Sequence, residues 1–163
     1  MELEKSCFFT GHRTLPTNKL DLIRKYLEEN IRKHAQNGVV DFISGGARGF
    51  DLLAALAVLG VKREFTDIRL RLYLPYPGFE RNWPERDISI LHTVSEASAE
   101  IRYISELYSA DCMKKRNMAL VKDAYYGIAF RLTQHSGTAQ TMGIARVYGR
   151  EVINIADQIY VEK

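Results

Sequence analysis

The sequence predicts an α/β fold, a parallel-rich sheet of about six strands with helices on both faces. Three observations carry this. Short β-branched or aromatic runs alternate with longer helical patterns, the order that produces a parallel sheet covered on both sides. The 163 residues match one ordinary domain, which buries roughly two thirds of its unfolded surface. A composition of 46% hydrophobic and 26% charged residues argues against disorder, collagen-like repeats and a coiled coil. No internal repeat or linker is visible, so residues 1–163 read as a single domain.

The elements follow in order. Cys7 to Thr10 reads as the first strand. Leu20, Ile23, Leu27 and Ile31 recur at three or four residues, which predicts a helix from about Thr17 to Gln36, ended by Gly38 as a C-cap. Val39 to Ser44 is the second strand, and Phe50 to about Leu59 the second helix, closing at Gly60. That helix is apolar nearly all round, so it demands cover from the sheet and from a further element or subunit, and a homodimer is one expectation. Ile68 to Leu74 is the third strand, with a shorter helix after Pro84. Glu100 to Ile104 is the fourth, and Ser109-Ala110-Asp111 opens a helix to about Ala124. Tyr126 to Leu132 is the fifth strand, Thr138 opens a helix ending before Gly149, and Val152 to Ile155 is the sixth strand.

Several classes are disfavoured. The longest apolar run, Leu52 to Gly60, is about half of the roughly 20 residues a membrane span needs, and charges occupy the N-terminus where a signal peptide is apolar. Cys7 and Cys112 form no C-x-x-C or His/Cys cluster, so no metal is expected and a reduced, cytoplasmic location is. The net charge of +3 comes from 23 basic and 20 acidic residues spread along the chain, which provides no electrostatic arm for nucleic acid. A basic pocket stays open as a reading.

The chemistry concentrates in loops that follow strands, where an open α/β sheet places ligands. Ser44-Gly45-Gly46-Ala47-Arg48-Gly49 runs from a buried strand into a helix N-terminus, whose unpaired N–H groups and positive dipole end attract an anion such as phosphate. It is neither a P-loop, lacking Gly-Lys-Ser/Thr, nor a G-x-G-x-x-G fingerprint, and Phe42 excludes a G-x-S-x-G elbow at Ser44. Asp51 reads either as a partner of the helix dipole or as a ribose-hydroxyl ligand or general base. Ser136, Gly137 and Thr138 join another strand to another helix; each hydroxyl alone reads as a cap, whereas two such termini side by side make a phosphate cradle. Arg116 and Asn117 interrupt an apolar helix face, which points to a guanidinium-phosphate contact or an internal salt bridge with Asp51. Gly11, His12 and Arg13 close the first strand and are candidates to grip a ligand. In the loop from Pro75 to Pro84, Tyr76, Phe79 and Trp83 either stack a base or pack on the sheet edge, and Glu80 is a candidate pocket acid.

With these motifs in place the chain resembles the SMF/DprA-LOG (SLOG) superfamily of Rossmann-like domains, and within it the branch of small bacterial proteins like YpsA. The resemblance spans nearly the whole chain and rests on Phe9-Thr10-Gly11-His12-Arg13, Ser44 to Asp51, Arg116-Asn117 and Ser136-Gly137-Thr138. It implies a Rossmann-like fold and a site for a nucleotide or a nucleotide-derived molecule such as NAD or ADP-ribose, with no cofactor required. The superfamily includes phosphoribohydrolases with a Gly-Gly-x-Gly-Thr-x-x-Glu pattern and a helical arginine. Arg116 looks like that arginine, but Thr141 stands where the glutamate belongs. The leading expectation is therefore a nucleotide-ligand binding module. The alternatives are a nucleotide N-glycosidase using Asp51 or Glu80 as catalytic acid or base, and a DprA-like single-stranded nucleic-acid binder, which the modest charge disfavours.

Overall fold

The structure is a computed structural model and describes residues 1–161. Six parallel strands form one sheet: β1 (Ser6–Gly11), β2 (Asp41–Ser44), β3 (Arg69–Leu74), β4 (Glu100–Tyr103), β5 (Tyr126–Phe130) and β6 (Glu151–Asn154), in the order β4-β3-β2-β1-β5-β6. This is the expected Rossmann-like α/β architecture. β1 lies centrally, so Cys7, Phe8 and Phe9 are fully buried and its run is apolar on both faces. Alternation still divides them. Cys7 and Phe9 join the larger core, whereas Phe8 joins Ile43 and Tyr73 in the smaller one. On β5, Gly127 is paired with Phe8, and a Cβ there would stand 2.6 Å from the Phe8 ring.

The larger core lies under α1 (Leu20–Gln36), α2 (Phe50–Val61) and α3 (Glu85–Ala97), and the smaller under α4 (Cys112–Asp123) and α5 (Gly137–Val147). In α1, Ile23, Leu27 and Ile31 are buried at spacings of four, while Leu20 begins the helix half-exposed behind a 3-10 turn over Thr17–Lys19. Gly38, at φ 97, closes α1: its N–H bonds the Ala35 carbonyl and that of Val39 bonds His34. Val39 is consumed by that cap, which is why β2 starts only at Asp41. The cover that apolar α2 demands comes from α1 and α3 of the same chain. A second subunit is not needed for it.

β5 ends at Phe130, two residues before the sequence expects, because the Asn154 side chain captures both the N–H (2.9 Å) and the carbonyl (3.0 Å) of Arg131. A short final turn, α6 (Ala156–Ile159), packs on α1 and was not legible in the periodicity. No described helix is long and apolar enough to cross a membrane.

Candidate functional site

Consecutive strands run outward from β1 to β4 on one side and from β5 to β6 on the other, so the strand order reverses between β1 and β5. Loops leaving the two carboxyl ends diverge there and open a crevice. A cleft of about 430 Å³ occupies it, lined by Gly11 at the end of β1, His12 and Arg13 after it, Ala47 and Asp51 after β2, Arg116 and Asn117 on α4, and Gly137, Thr138 and Thr141 on α5. A second lobe of about 240 Å³ adjoins it and carries Arg48, Phe79 and Trp83. Both lobes share Arg13, Ala47, Met113 and Arg116, so they form one trench.

The first glycine loop is built differently from what its composition suggests. Ser44 is fully buried; its hydroxyl donates to the Asp51 carbonyl (2.8 Å) and accepts from the Gly46 N–H (3.2 Å). The Ala47 N–H donates to Asp51 Oδ2 (3.3 Å), and the Phe50 N–H at the start of α2 donates to the His12 carbonyl (3.1 Å). Several amides expected to converge on an anion are therefore spent inside the fold. Three glycines of the loop meet packing constraints: a Cβ on Gly46 would collide with Leu74, one on Gly49 with the backbone of Arg13, and one on Gly45 with Arg116 and Asp51. Gly46 and Gly49 also hold positive φ, at 69° and 79°. Ser44, Gly45, Gly46 and Gly49 thus stand behind the cleft wall, with Ala47 and Asp51 as the loop's faces towards it.

The N-terminus of α5 also opens on the cleft. Ser136 caps its own helix by accepting from the Ala139 N–H (3.1 Å), and its carbonyl takes the Gln140 N–H (3.0 Å). Among the described residues the amides of Gly137 and Thr138 have no protein partner, and both residues line the cleft. His12 faces the same space. Its Nε2 accepts from the Leu132 N–H (2.8 Å), and burial, reinforced by Arg131, holds its pKa below the usual value. A neutral ring accepting at Nε2 carries its proton on Nδ1 and presents a donor there.

Arg116 is 4% exposed. Its Nε donates to the Asn117 amide oxygen (2.9 Å) and its Nη1 to the Gly45 carbonyl, while burial pulls its pKa down against the opposing pull of Asp51. Asp51 is 6% exposed, and burial pushes its carboxyl up to about 6 despite Arg116, the Ala47 N–H and Arg13. Arg116 and Asp51 both press on Gly45, yet among the described residues no ion pair closes between them. Among the described residues Oδ1 of Asp51 has no hydrogen-bond partner. The internal salt bridge that the sequence leaves open is therefore not what the fold makes.

Arg48 pairs with Asp87 on α3 at 2.8 Å beside the second lobe. Phe79 and Trp83 pack edge to face at 5.1 Å and line that lobe, whereas Tyr76 packs between Phe79 and Tyr108. Glu80 and Tyr76 line neither lobe, because the turn from Tyr76 to Trp83 points them elsewhere. Thr141 does reach the cleft, but its hydroxyl is back-bonded to the Gly137 carbonyl (2.9 Å). Met113, one turn before Arg116 and on the same helix face, lines both lobes and was detectable by that spacing. Among the described residues no cluster of His, Cys, Asp or Glu is placed to hold a metal.

Comparison with known proteins places this geometry in context. The family model described as the YspA SLOG family matches residues 8–145. A UPF0398 protein of Enterococcus faecalis is 27% identical over 107 residues, which is 61% of this chain and 59% of that one. A second, from Oenococcus oeni, is 29% identical over 89 residues, 50% of this chain and 47% of that one. The chain thus spans about half the length of the curated relatives it matches. Among solved structures, DNA processing protein A of Streptococcus pneumoniae superimposes with a TM-score of 0.65 at 16% identity, covering 92% of this chain and 49% of that one. Its counterpart from Helicobacter pylori, solved for its single-stranded DNA binding mode, gives 0.66 at 17% identity, covering 90% and 63%. At such identities the likeness is one of fold.

Proposed function

The chain belongs to the YpsA (YspA SLOG) family, and from that premise we propose that its trench binds a nucleotide or nucleotide-derived ligand such as a nucleoside monophosphate, NAD or ADP-ribose. The carrying observation is the pair of unpartnered amides on Gly137 and Thr138, opening onto a cleft that also contains buried Arg116. A phosphate there would accept from both amides and draw on the dipole of α5, with Arg13 and the His12 Nδ1 beside it. The second lobe then receives the base, against Phe79 and Trp83.

Binding without turnover is favoured by Thr141, an alcohol tied to its own helix at the position where the phosphoribohydrolase pattern has its glutamate. Glu80 lies off the trench, so an N-glycosidase reading rests on Asp51 alone. A nucleic-acid reading draws on the DNA-binding description of the Helicobacter pylori neighbour and on the two-lobed shape, which would accept a strand as well as a single nucleotide.

Isothermal calorimetry with nucleoside monophosphates, NAD, ADP-ribose and a single-stranded oligonucleotide tests this directly. Saturable one-to-one binding of a small nucleotide, weakened in Arg116→Lys, supports the proposal. Oligonucleotide binding alone, falling steeply with salt, would transfer the trench to nucleic acid. Base released from a nucleotide by wild type and not by Asp51→Ala would make the protein an enzyme.

A further inference from the structure

The sheet ends on β4, and the outer edge of that strand is open. β4 pairs with β3 alone, and Ile101, Arg102 and Tyr103 are exposed along it. In β3 the Arg69 N–H donates to the Val40 carbonyl on the β2 side, so the even-numbered residues of β3 turn their backbone groups to β4. The Ile104 N–H accordingly donates to the Leu74 carbonyl (2.9 Å). Backbone groups alternate sides along a strand, so those of Ile101 and Tyr103 point off the sheet. Among the described residues nothing pairs with them.

The side chains at this edge match a second copy of the same strand run antiparallel. Opposite residues of an antiparallel pair share a face, and a two-fold axis at Ile101 sets Glu100 opposite the partner subunit's Arg102, and Arg102 opposite the partner subunit's Glu100. Both are non-hydrogen-bonded pairs, in which side chains approach most closely. On the other face Ile101 meets its own copy, and Tyr103, 48% exposed, meets the small, exposed Ala99. An axis at Arg102 would instead set arginine against arginine. The charges already in place favour the first register. Asp41, Arg71 and Glu100 form a row of alternating sign across β2, β3 and β4, with contacts of 2.7 and 3.1 Å, and a cation on the next strand continues it. Arg102 is held on that face by Glu100 (3.2 Å) and Asp123 (3.0 Å) and stands over the Tyr73 ring. The opposite edge strand, β6, carries Glu151 as its single charge and has no cation to meet it.

We propose that β4 is a self-association surface, through which two copies of the chain pair antiparallel about a two-fold axis at Ile101 and join their sheets into one. The seam is short against the roughly 1,600 Å² of a standard interface, so the dimer is expected to be weak, with a Kd on the order of 10 μM. Charge pairing of this kind fixes register more than it adds affinity. The trench opens between β1 and β5, away from this edge, so the proposal stands independently of the nucleotide reading.

Sedimentation equilibrium of wild type from about 1 to about 200 μM tests it, and the average mass is expected to climb from one chain mass towards two. Ile101→Lys sets two like charges opposite each other across the axis and is expected to weaken the dimer at least ~10-fold, while Val147→Lys, on exposed α5, leaves it unchanged. The same thermal melt for Ile101→Lys as for wild type at low concentration shows that the chain still folds. Register is read by disulfide formation. Opposite residues in a hydrogen-bonded antiparallel pair lie about 5.5 Å apart at Cα, within disulfide reach, so oxidised Ile101→Cys is expected to cross-link readily and Arg102→Cys poorly. A wild type that stays monomeric at every concentration would overturn the proposal, as would a folded Ile101→Lys protein that dimerises like wild type. Faster cross-linking of Arg102→Cys than of Ile101→Cys would overturn the axis at Ile101.

Discussion

Replacing Gly137 by proline separates the proposed anion site from the fold that carries it. Gly137 is the first residue of α5, follows Ser136 at φ −147° and ψ 165°, and has no heavy atom within 4 Å of the position of a Cβ. The first helical position makes no bond from its N–H, the proline ring suits a helix start, and an extended preceding residue avoids the ring. The substitution deletes one amide N–H and little else. Stability is expected to rise by about 0.4–1 kcal/mol, because the unfolded chain loses freedom, which moves Tm upward by ~1–4 °C. Ligand affinity is expected to fall, since an N–H to phosphate bond is charge-assisted. Its loss costs about 1.5–3 kcal/mol, or ~10- to 150-fold in Kd. Thermal unfolding and calorimetry on one preparation read both effects, with opposite signs. A variant with raised Tm that binds the wild-type nucleotide within about twofold of the wild-type Kd would refute the placement of phosphate on α5.

Three further outcomes follow from the same geometry. The carboxyl of Asp51 is raised from 3.8 to about 6, so the stability associated with this group is fully present below the unfolded value and lost as pH rises through about 6. The displacement corresponds to about 3 kcal/mol; urea unfolding of wild type minus Asp51→Asn should decline by up to that amount from about pH 4 to about pH 8, and a flat difference counts against the burial of the carboxylate. Trp83→Ala should weaken nucleotides by about 1–3 kcal/mol and leave ribose 5-phosphate untouched, because in the proposed pose only the base reaches the second lobe; equal losses for both ligands would misplace the base. Gly46→Val should prevent folding or cost more than about 3 kcal/mol, since positive φ and the Leu74 contact are both violated, and circular dichroism with a native-like melt would contradict that.

Much of the fold was legible because it is decided locally. The spacing of Ile23, Leu27 and Ile31 sets a buried helix face, and the apolar runs of the strands set a sheet buried on both sides. Gly38 marks a cap that needs positive φ. Element ends were less legible where a distant side chain intervenes, as Asn154 does at Arg131. The four loops holding the candidate residues were identifiable because each follows a strand at the edge where ligands gather.

By itself, then, the sequence determined the α/β class and the order of the elements, and pointed to loops that gather at the trench, all properties written in periodicity and in residues within a few positions of one another. Only the tertiary structure decided what each loop does. The glycines after β2 signal an anion cradle, yet the His12 carbonyl and the side chains of Ser44 and Asp51 take up three of that stretch's amides, while the Gly137 and Thr138 amides have no partner among the described residues and both residues line the larger cleft. Glu80 and Tyr76 share a loop with Phe79 and Trp83 but face away from the trench. The physical reason is that a hydrogen-bond donor is free or spent according to what the rest of the chain brings beside it. Partners such as His12 and Phe50, or Arg116 and Gly45, lie far apart in sequence and meet only once the sheet is assembled.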